Sequence, residues 1–337
     1  MPTEGGVEVQ SAIVIVSPEC REEEAGVEAI DSSTGPSPAT KTRQGNSLVC
    51  VEVLGRSVVA RLIDEFARAG FDAATQIERR SLDQAWEVAD RQLLTYKDSG
   101  SEAVVVVRAR AYIDLDLKDL LQFHREQAQA ITRAFDANEE PLDVWVIDPS
   151  RIQEGTTLLA ALDAASPAHY FVRGYVNRLT GPADLRRLAV DALTSRCRLR
   201  PQGTESRPGV WMDEGAQVHR DARIVAPIFI GRGARISEQC LVTRYSSIES
   251  NCHIDYGTVV EDSSILPNSY VGIGLDLSHS IVDGNNLMNL ERGVTLEIVD
   301  PCVIRQNKVS RQEKNLQSPY AFGFANVQFA QAEESSR

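Results

Sequence analysis

Nine aliphatic residues recur at every sixth position in the C-terminal half: Val218, Ile224, Ile230, Ile236, Val242, Ile248, Ile254, Val260 and Leu266. Four residues after most of them stands something small: Ala222, Ala234, Cys240, Ser246, Cys252, Thr258 and Ser264, with Ile228 as the exception. A helix repeats its faces about every 3.6 residues and a strand every second one, so neither accounts for a beat of six. A triangular coil does. Each six-residue side turns one aliphatic residue inward and needs a small one near the corner, and stacked coils bury one continuous core. The pattern predicts a parallel β-helix over 210–305. Near its end the beat slips: Ile265, Val271 and Leu277 carry it one position early, and Ile281 and Leu287 restart it after LDLSHS. The slip predicts a small bulge on one coil side, marked by Gly272-Ile273-Gly274, a run too short to cradle a phosphate.

The rest of the chain is long enough for a second core, 337 residues in all. A net charge of −13 argues against a protein that coats nucleic acid electrostatically. No run of eighteen apolar residues predicts a membrane span. MPTEGGVEVQ lacks a basic segment followed by an apolar one, so a cytoplasmic protein is the expectation. The six cysteines form no C-x-x-C pair and suit neither a zinc site nor a disulfide framework, and Cys240 and Cys252 take small inward positions of the coil.

AIVIV (12–16) reads as a buried strand, followed by a loop-like stretch over 17–47. LVCVEVL (48–54) resumes the apolar pattern. From Ser57 to Ala69 the spacing is helical, with Gly70 closing the helix. AVVVV (103–107) is a fully buried strand. After it, Leu117, Leu120, Leu121, His124, Ala128 and Ile131 make one helical face, with Asp116 as N-cap. DVWVI (143–147) is another strand. A last helix runs from Pro182, a favoured first helical residue, to Leu193. Strands alternating with helices imply an α/β domain with a largely parallel sheet over 10–200. Trp86, Trp145 and Trp211 read as core or interface anchors, and Arg186-Arg187 as a solvated helix face. Residues 306–337 form a tail without period.

Several segments together resemble the sugar-phosphate nucleotidyltransferases that carry a C-terminal hexapeptide domain, the mannose-1-phosphate guanylyltransferase and glucose-1-phosphate nucleotidyltransferase branch. They are LGRSVVARLIDEFARAGFD, YIDLDLKDLLQFHREQAQAI, LTGPADLRRLAVDAL and PGVWMDEGAQVHRDARIVAPIFIGRGARI, in the family's order. The resemblance implies a Rossmann-like, GT-A-like sheet domain followed by a left-handed parallel β-helix. It also implies attack of a sugar 1-phosphate on an NTP, which needs phosphate-binding amides, a basic side chain and a metal.

Two departures stand against that chemistry. After AIVIV the family's loop of the form GxGTRLxPLT is missing, and Glu22, Glu23 and Glu24 put negative charge there instead. Where the family carries a metal-binding Asp, four residues before Asp114, this chain has Arg110. Asp114 and Asp116 are the remaining carboxylates that could hold Mg²⁺. The expectation is therefore a non-catalytic or weakened homologue in sugar-nucleotide or cell-surface polysaccharide metabolism, without a cofactor. It would act by assembly or by sensing a nucleotide sugar, as a homo-oligomer through the β-helix or beside an active paralogue. An active enzyme with a relocated phosphate and Mg²⁺ site is the second reading. The third is a hexapeptide acyltransferase using His253 as general base, with His219 and His279 as lesser candidates.

Overall fold

The computed structural model describes residues 9–16, 47–79, 81–153, 155–164 and 166–307. The acidic stretch after the first strand, and the tail from 308 onward, lie outside the described residues.

The N-terminal region is built on six strands: β1 (Gln10–Val16), β2 (Ala73–Glu78), β3 (Ala103–Arg108), β4 (Ile131–Phe135), β5 (Pro141–Ile147) and β6 (Ala168–Phe171). Their order across the sheet is β2-β1-β3-β5-β4-β6. β1 is parallel to β2 and β3, and β4 is parallel to β6, but β5 runs against both β3 and β4. The sheet is thus mixed rather than nearly all parallel. The reversal follows from the short turn at 136–140, where the Asp136 carboxylate accepts from the amides of Asn138 and Glu140, both at 2.9 Å. So short a connection joins only antiparallel neighbours.

Five helices cover the sheet: α1 (Val58–Ala69), α2 (Leu82–Asp98), α3 (Leu117–Gln127), α4 (Leu158–Ala164) and α5 (Pro182–Leu193). Successive strand residues point to opposite faces. Ile13, Ile15, Val104 and Val106 therefore pack on Trp86, Ala89 and Leu93 of α2 and on Leu158 of α4. Val14, Val105 and Val107 face Phe66 of α1, Leu120 and Leu121 of α3 and Leu188 of α5. Trp86 and Trp145 meet edge to face, 6.3 Å between centroids. The Ser57 hydroxyl caps α1, and Gly70 ends it at φ 90°. The expected face of α3 stops short of Ile131: Ala128 turns left-handed at φ 52°, and Ile131 opens β4. Residues 48–54, where the apolar pattern resumes, form a 3₁₀ turn and then a tight hairpin pairing Glu52–Val53 with Arg56–Ser57.

From Val210 on, the chain visits three parallel sheets in rotation, returning to each after one circuit. Met212, Ile230, Ile248, Ile265 and Val282 stack in one sheet, Val218, Ile236, Ile254 and Val271 in the second, and Ile224, Val242, Val260 and Leu277 in the third. Cys240 and Cys252 are buried at the corners. The slip is a shortened corner and not a bulge. Ile230 pairs with Ile248, but Ile248 pairs with Ile265 and Ile265 with Val282, one residue sooner each time. The corner that uses two left-handed residues at Arg244 and Tyr245 uses one at Asp262, and one again at His279. Ile265, Val271 and Leu277 point into the coil as the slipped beat predicts, whereas Leu266 and Ile281, also expected inward, join the core of the N-terminal region and Val282 takes the inward place of Ile281. Gly272-Ile273-Gly274 lies at another corner, where a Cβ on Gly272 would meet the Cys302 carbonyl oxygen at 2.1 Å.

No helix among the described residues is long and apolar enough to cross a membrane.

Candidate functional site

Asp114 sits beyond β3, at the end of the short strand Tyr112–Ile113 that pairs antiparallel with Val176–Asn177. It is buried, and the Tyr112 hydroxyl donates to its Oδ1 at 2.6 Å. The backbone amide of Arg198 lies 3.2 Å from Oδ1 and 2.9 Å from Oδ2. The Arg198 contact ties the segment after α5 to the sheet. Asp116, exposed, accepts from the amides of Lys118 and Asp119 at 3.1 and 3.2 Å and caps α3. Arg110 is exposed. Asp114 and Asp116 both lie close enough to Glu65 to raise its carboxyl pKa, after burial. Burial and the neighbouring Asp114 push the Tyr112 phenol far above its ordinary range, so it stays a hydrogen-bond donor.

Against this floor opens a charged cleft of about 450 Å³, bordered by Asp136, Glu140, Gly174, Arg178, Asp184 and Arg187. Gly174 is required by the close approach, since a Cβ there would lie 2.2 Å from the Asp114 carbonyl oxygen. Arg178 reaches Asp136 at 2.7 Å and Glu140 at 3.0 Å, and Arg187 reaches Asp184 at 2.7 Å. The Arg178 guanidinium holds the Asp136 carboxyl below its usual range. Burial opposes the same shift at Asp184, but the Thr180 and Arg187 contacts outweigh it. The cleft is therefore lined by paired charges, the carboxylates of Asp136, Glu140 and Asp184 against the guanidiniums of Arg178 and Arg187. Sequence reading missed it because its two halves, 136–140 and 174–187, carry no spacing pattern. The turn-forming DANEE between two strands was the available signal.

A second cavity, about 490 Å³, lies at the opposite end of the parallel strands. Lys97, Arg125 and Arg151 line it, together with His124, whose Nδ1 is 2.7 Å from Thr132 Oγ1. These cations close the C-terminal ends of α2 and α3, where the helix dipole favours positive charge.

His253 lies half-buried on an outer face of the coil, in a ladder with Arg235 and Tyr270. Its Nε2 is 3.2 Å from Ser237 Oγ, and its ring meets Tyr270 edge-on at 5.4 Å. Arg305 stacks 3.5 Å above the Tyr270 ring, whose hydroxyl donates to Asp255 at 2.7 Å. Burial lowers the His253 pKa, leaving a neutral imidazole. His219 groups with Asp221 and Glu238 on an exposed corner, their ligand atoms within 4.8 Å of one another. The Asp221 amide already donates to His219 Nδ1 at 3.2 Å. His279 Nδ1 is 2.6 Å from Asp262 Oδ2.

Asp262 also receives Arg186 of α5, at 2.7 Å. Arg186 is 5% exposed and donates to the Tyr245 carbonyl at 2.8 Å. It is a buried bolt between helix and coil, not the solvated residue its charge suggests. Arg187 is the solvated one of the pair, its side chain 61% exposed.

No protein-family model matches this chain, and no curated protein matches it in sequence.

Proposed function

We propose that this chain is a Rossmann-like, nucleotidyltransferase-like scaffold joined to a left-handed parallel β-helix, and that it binds a sugar phosphate or nucleotide sugar without turning it over. The observation that carries this reading is the occupancy of Asp114. Each of its oxygens already accepts a hydrogen bond, from Tyr112 or the Arg198 amide, and a Mg²⁺ ion would have to share them. Asp116 caps its helix through Oδ1, and the position that the resemblance gives to a metal ligand holds Arg110. On this reading these residues serve the fold and not a magnesium ion.

Binding has better support than catalysis. In the Asp136–Arg178–Asp184–Arg187 cleft, carboxylates suit sugar hydroxyls and guanidiniums suit a phosphate. Each guanidinium already has a carboxylate partner, so a ligand would exchange partners within the array and not meet a bare charge. Calorimetric titration with hexose 1-phosphates and nucleotide sugars tests the reading. Micromolar-to-millimolar binding that Arg178→Gln abolishes is expected, and absence of binding by every compound would overturn it.

A further inference from the structure

Helices α2 and α3 cover opposite faces of the sheet, and both end at the cavity of about 490 Å³ beside the starts of β1 and β3. Each brings a cation from its last turn, Lys97 from α2 and Arg125 from α3, and Arg151 joins them from the turn after β5. The helix dipole accounts for charge at these positions. It does not account for the group beneath them. His124 lines the cavity and is only 5% exposed. Its one hydrogen bond among the described residues joins Nδ1 to Thr132 Oγ1. Thr132 is fully buried, and its hydroxyl has no other acceptor among those residues. The hydroxyl proton therefore goes to Nδ1, because a buried donor left unpaired is costly. Burial lowers the His124 pKa, so the ring is neutral and its own proton sits on Nε2. That nitrogen has no partner among the described residues and is not sealed from solvent, so it opens into the cavity as a donor.

Lys97 has unused donors as well. Its ammonium meets the Ile152 carbonyl at 3.5 Å, the long limit of a hydrogen bond, and pairs with no carboxylate among the described residues. Two carboxylates share the wall. Asp148 is occupied, its Oδ1 by Ser150 and its Oδ2 by Arg151 Nε at 3.0 Å, and Glu102 is exposed. Lys97, Arg125 and Arg151 against Glu102 and Asp148 leave a positive excess here, in a chain of net charge −13.

We infer that this cavity binds a small polycarboxylate, one carboxylate on His124 Nε2–H and Lys97 and another on the guanidiniums of Arg125 and Arg151. The volume suits a small molecule, and a planar guanidinium matches a carboxylate. The cations come from three separate elements, which fits charge spread over several groups. A phosphate gathers its charge at one point and meets the repulsion of Glu102 and Asp148 there. The ligand shares Arg151 with Asp148. This site lies at the other end of the strands from the Asp136–Arg178 cleft, so the inference stands whether or not that cleft binds a ligand.

Calorimetric titration of the full-length protein with citrate, at fixed ionic strength, tests it, with acetate and inorganic phosphate as comparison ligands. Citrate is expected to bind at least about tenfold more tightly than either. Lys97→Gln and Arg125→Gln, neither in the core, are each expected to weaken citrate at least about tenfold, and Arg178→Gln to leave it unchanged. A bound anion favours the charged imidazole. Citrate is therefore expected to raise the His124 pKa, read in proton–nitrogen spectra where His124→Gln identifies the signal. No heat from millimolar citrate, binding equalled by phosphate, binding indifferent to both glutamines, or a His124 signal that citrate does not move overturns the inference.

Discussion

Glu249 of the coil and Gly55 of the N-terminal hairpin meet across the seam between the two parts of the molecule. One carboxylate oxygen accepts from the Gly55 amide at 2.9 Å and the other from the Leu54 amide at 3.0 Å. Leu54 and Gly55 are both left-handed, at φ 53° and 87°, which turns the two successive N–H groups toward one anion. Arg61 braces the same turn from below through the carbonyls of Val53, Leu54 and Arg56. Glu52, bound by the Ser250 hydroxyl at 2.6 Å, places a second buried carboxylate beside the first.

This seam titrates. Burial, then Glu52, push the Glu249 carboxyl up to about 8, against the two amides and Arg61, which draw it down. Burial raises Glu52 as well. For an acid whose folded pKa exceeds its unfolded value, the stabilising contribution is complete below the unfolded pKa, near 4.5, and is lost as pH rises through about 8. The melting temperature of the wild type is expected to fall across that window. Glu249→Gln is expected to flatten the fall while costing about 1 kcal/mol or less at pH 5, where the carboxyl it replaces is itself neutral and carries hydrogen on one oxygen. A pH profile identical in the two proteins would contradict the assignment.

Arg186→Met keeps the buried stem and removes every donor. The Tyr245 carbonyl then loses this donor and Asp262 is left with His279 alone, which is expected to cost about 2–4 kcal/mol in urea unfolding. The lower half of that range is favoured because Asp262 keeps 31% of its side chain exposed. Arg187→Met, on the solvated neighbour, is expected to cost less than about 0.5 kcal/mol.

The thiols should separate by burial. Cys252 is fully enclosed in the coil, and burial, chiefly, raises its pKa well beyond the ordinary thiol range. Cys302 is exposed. Under native conditions a disulfide reagent is expected to modify Cys302 within minutes and Cys252 only on unfolding, as peptide mapping of the labelled protein would read. Equal labelling of the two would mean that the coil opens.

Much of this fold is written locally. Ser57 and Gly70 bound α1, and Pro182 opens α5, because caps and breakers act within one turn of chain. The six-residue beat reveals the coil because each circuit repeats the same burial. Where the reading failed, the deciding contact was distant or the pattern degenerate. Ile265 and Leu266 are adjacent aliphatics, and counting six from Val260 selects Leu266. The corner at Asp262 takes five residues, so Ile265 goes inward. Helix α2 hides because its buried stripe includes Ala85 and Ala89, which carry little apolar signal. Glu249 follows Ile248 as any solvent-facing coil residue would, and its partner amides lie 194 and 195 residues away in sequence. The clefts were illegible for the same reason: Arg178 and Asp136 lie 42 residues apart and meet only in the folded chain.

Asp114 is assigned to architecture and not to a metal. Asp114→Asn retains one acceptor for the Arg198 amide, and is expected to lower stability by about 1–3 kcal/mol. Millimolar Mg²⁺ is expected to leave the melting temperatures of both wild type and variant unmoved, apart from a general ionic-strength effect that Na⁺ reproduces. A Mg²⁺-specific rise in the wild type that Asp114→Asn abolishes would restore Asp114 as a ligand.

Pyrophosphate release tests the central claim most directly. The purified protein would be incubated with Mg²⁺, the four NTPs and dTTP, each with a panel of sugar 1-phosphates, beside an active nucleotidyltransferase as control. Release at background level, from protein that still binds a sugar phosphate or nucleotide sugar by calorimetry, is the predicted result. Turnover above background that Asp114→Asn or Asp116→Asn removes would contradict it.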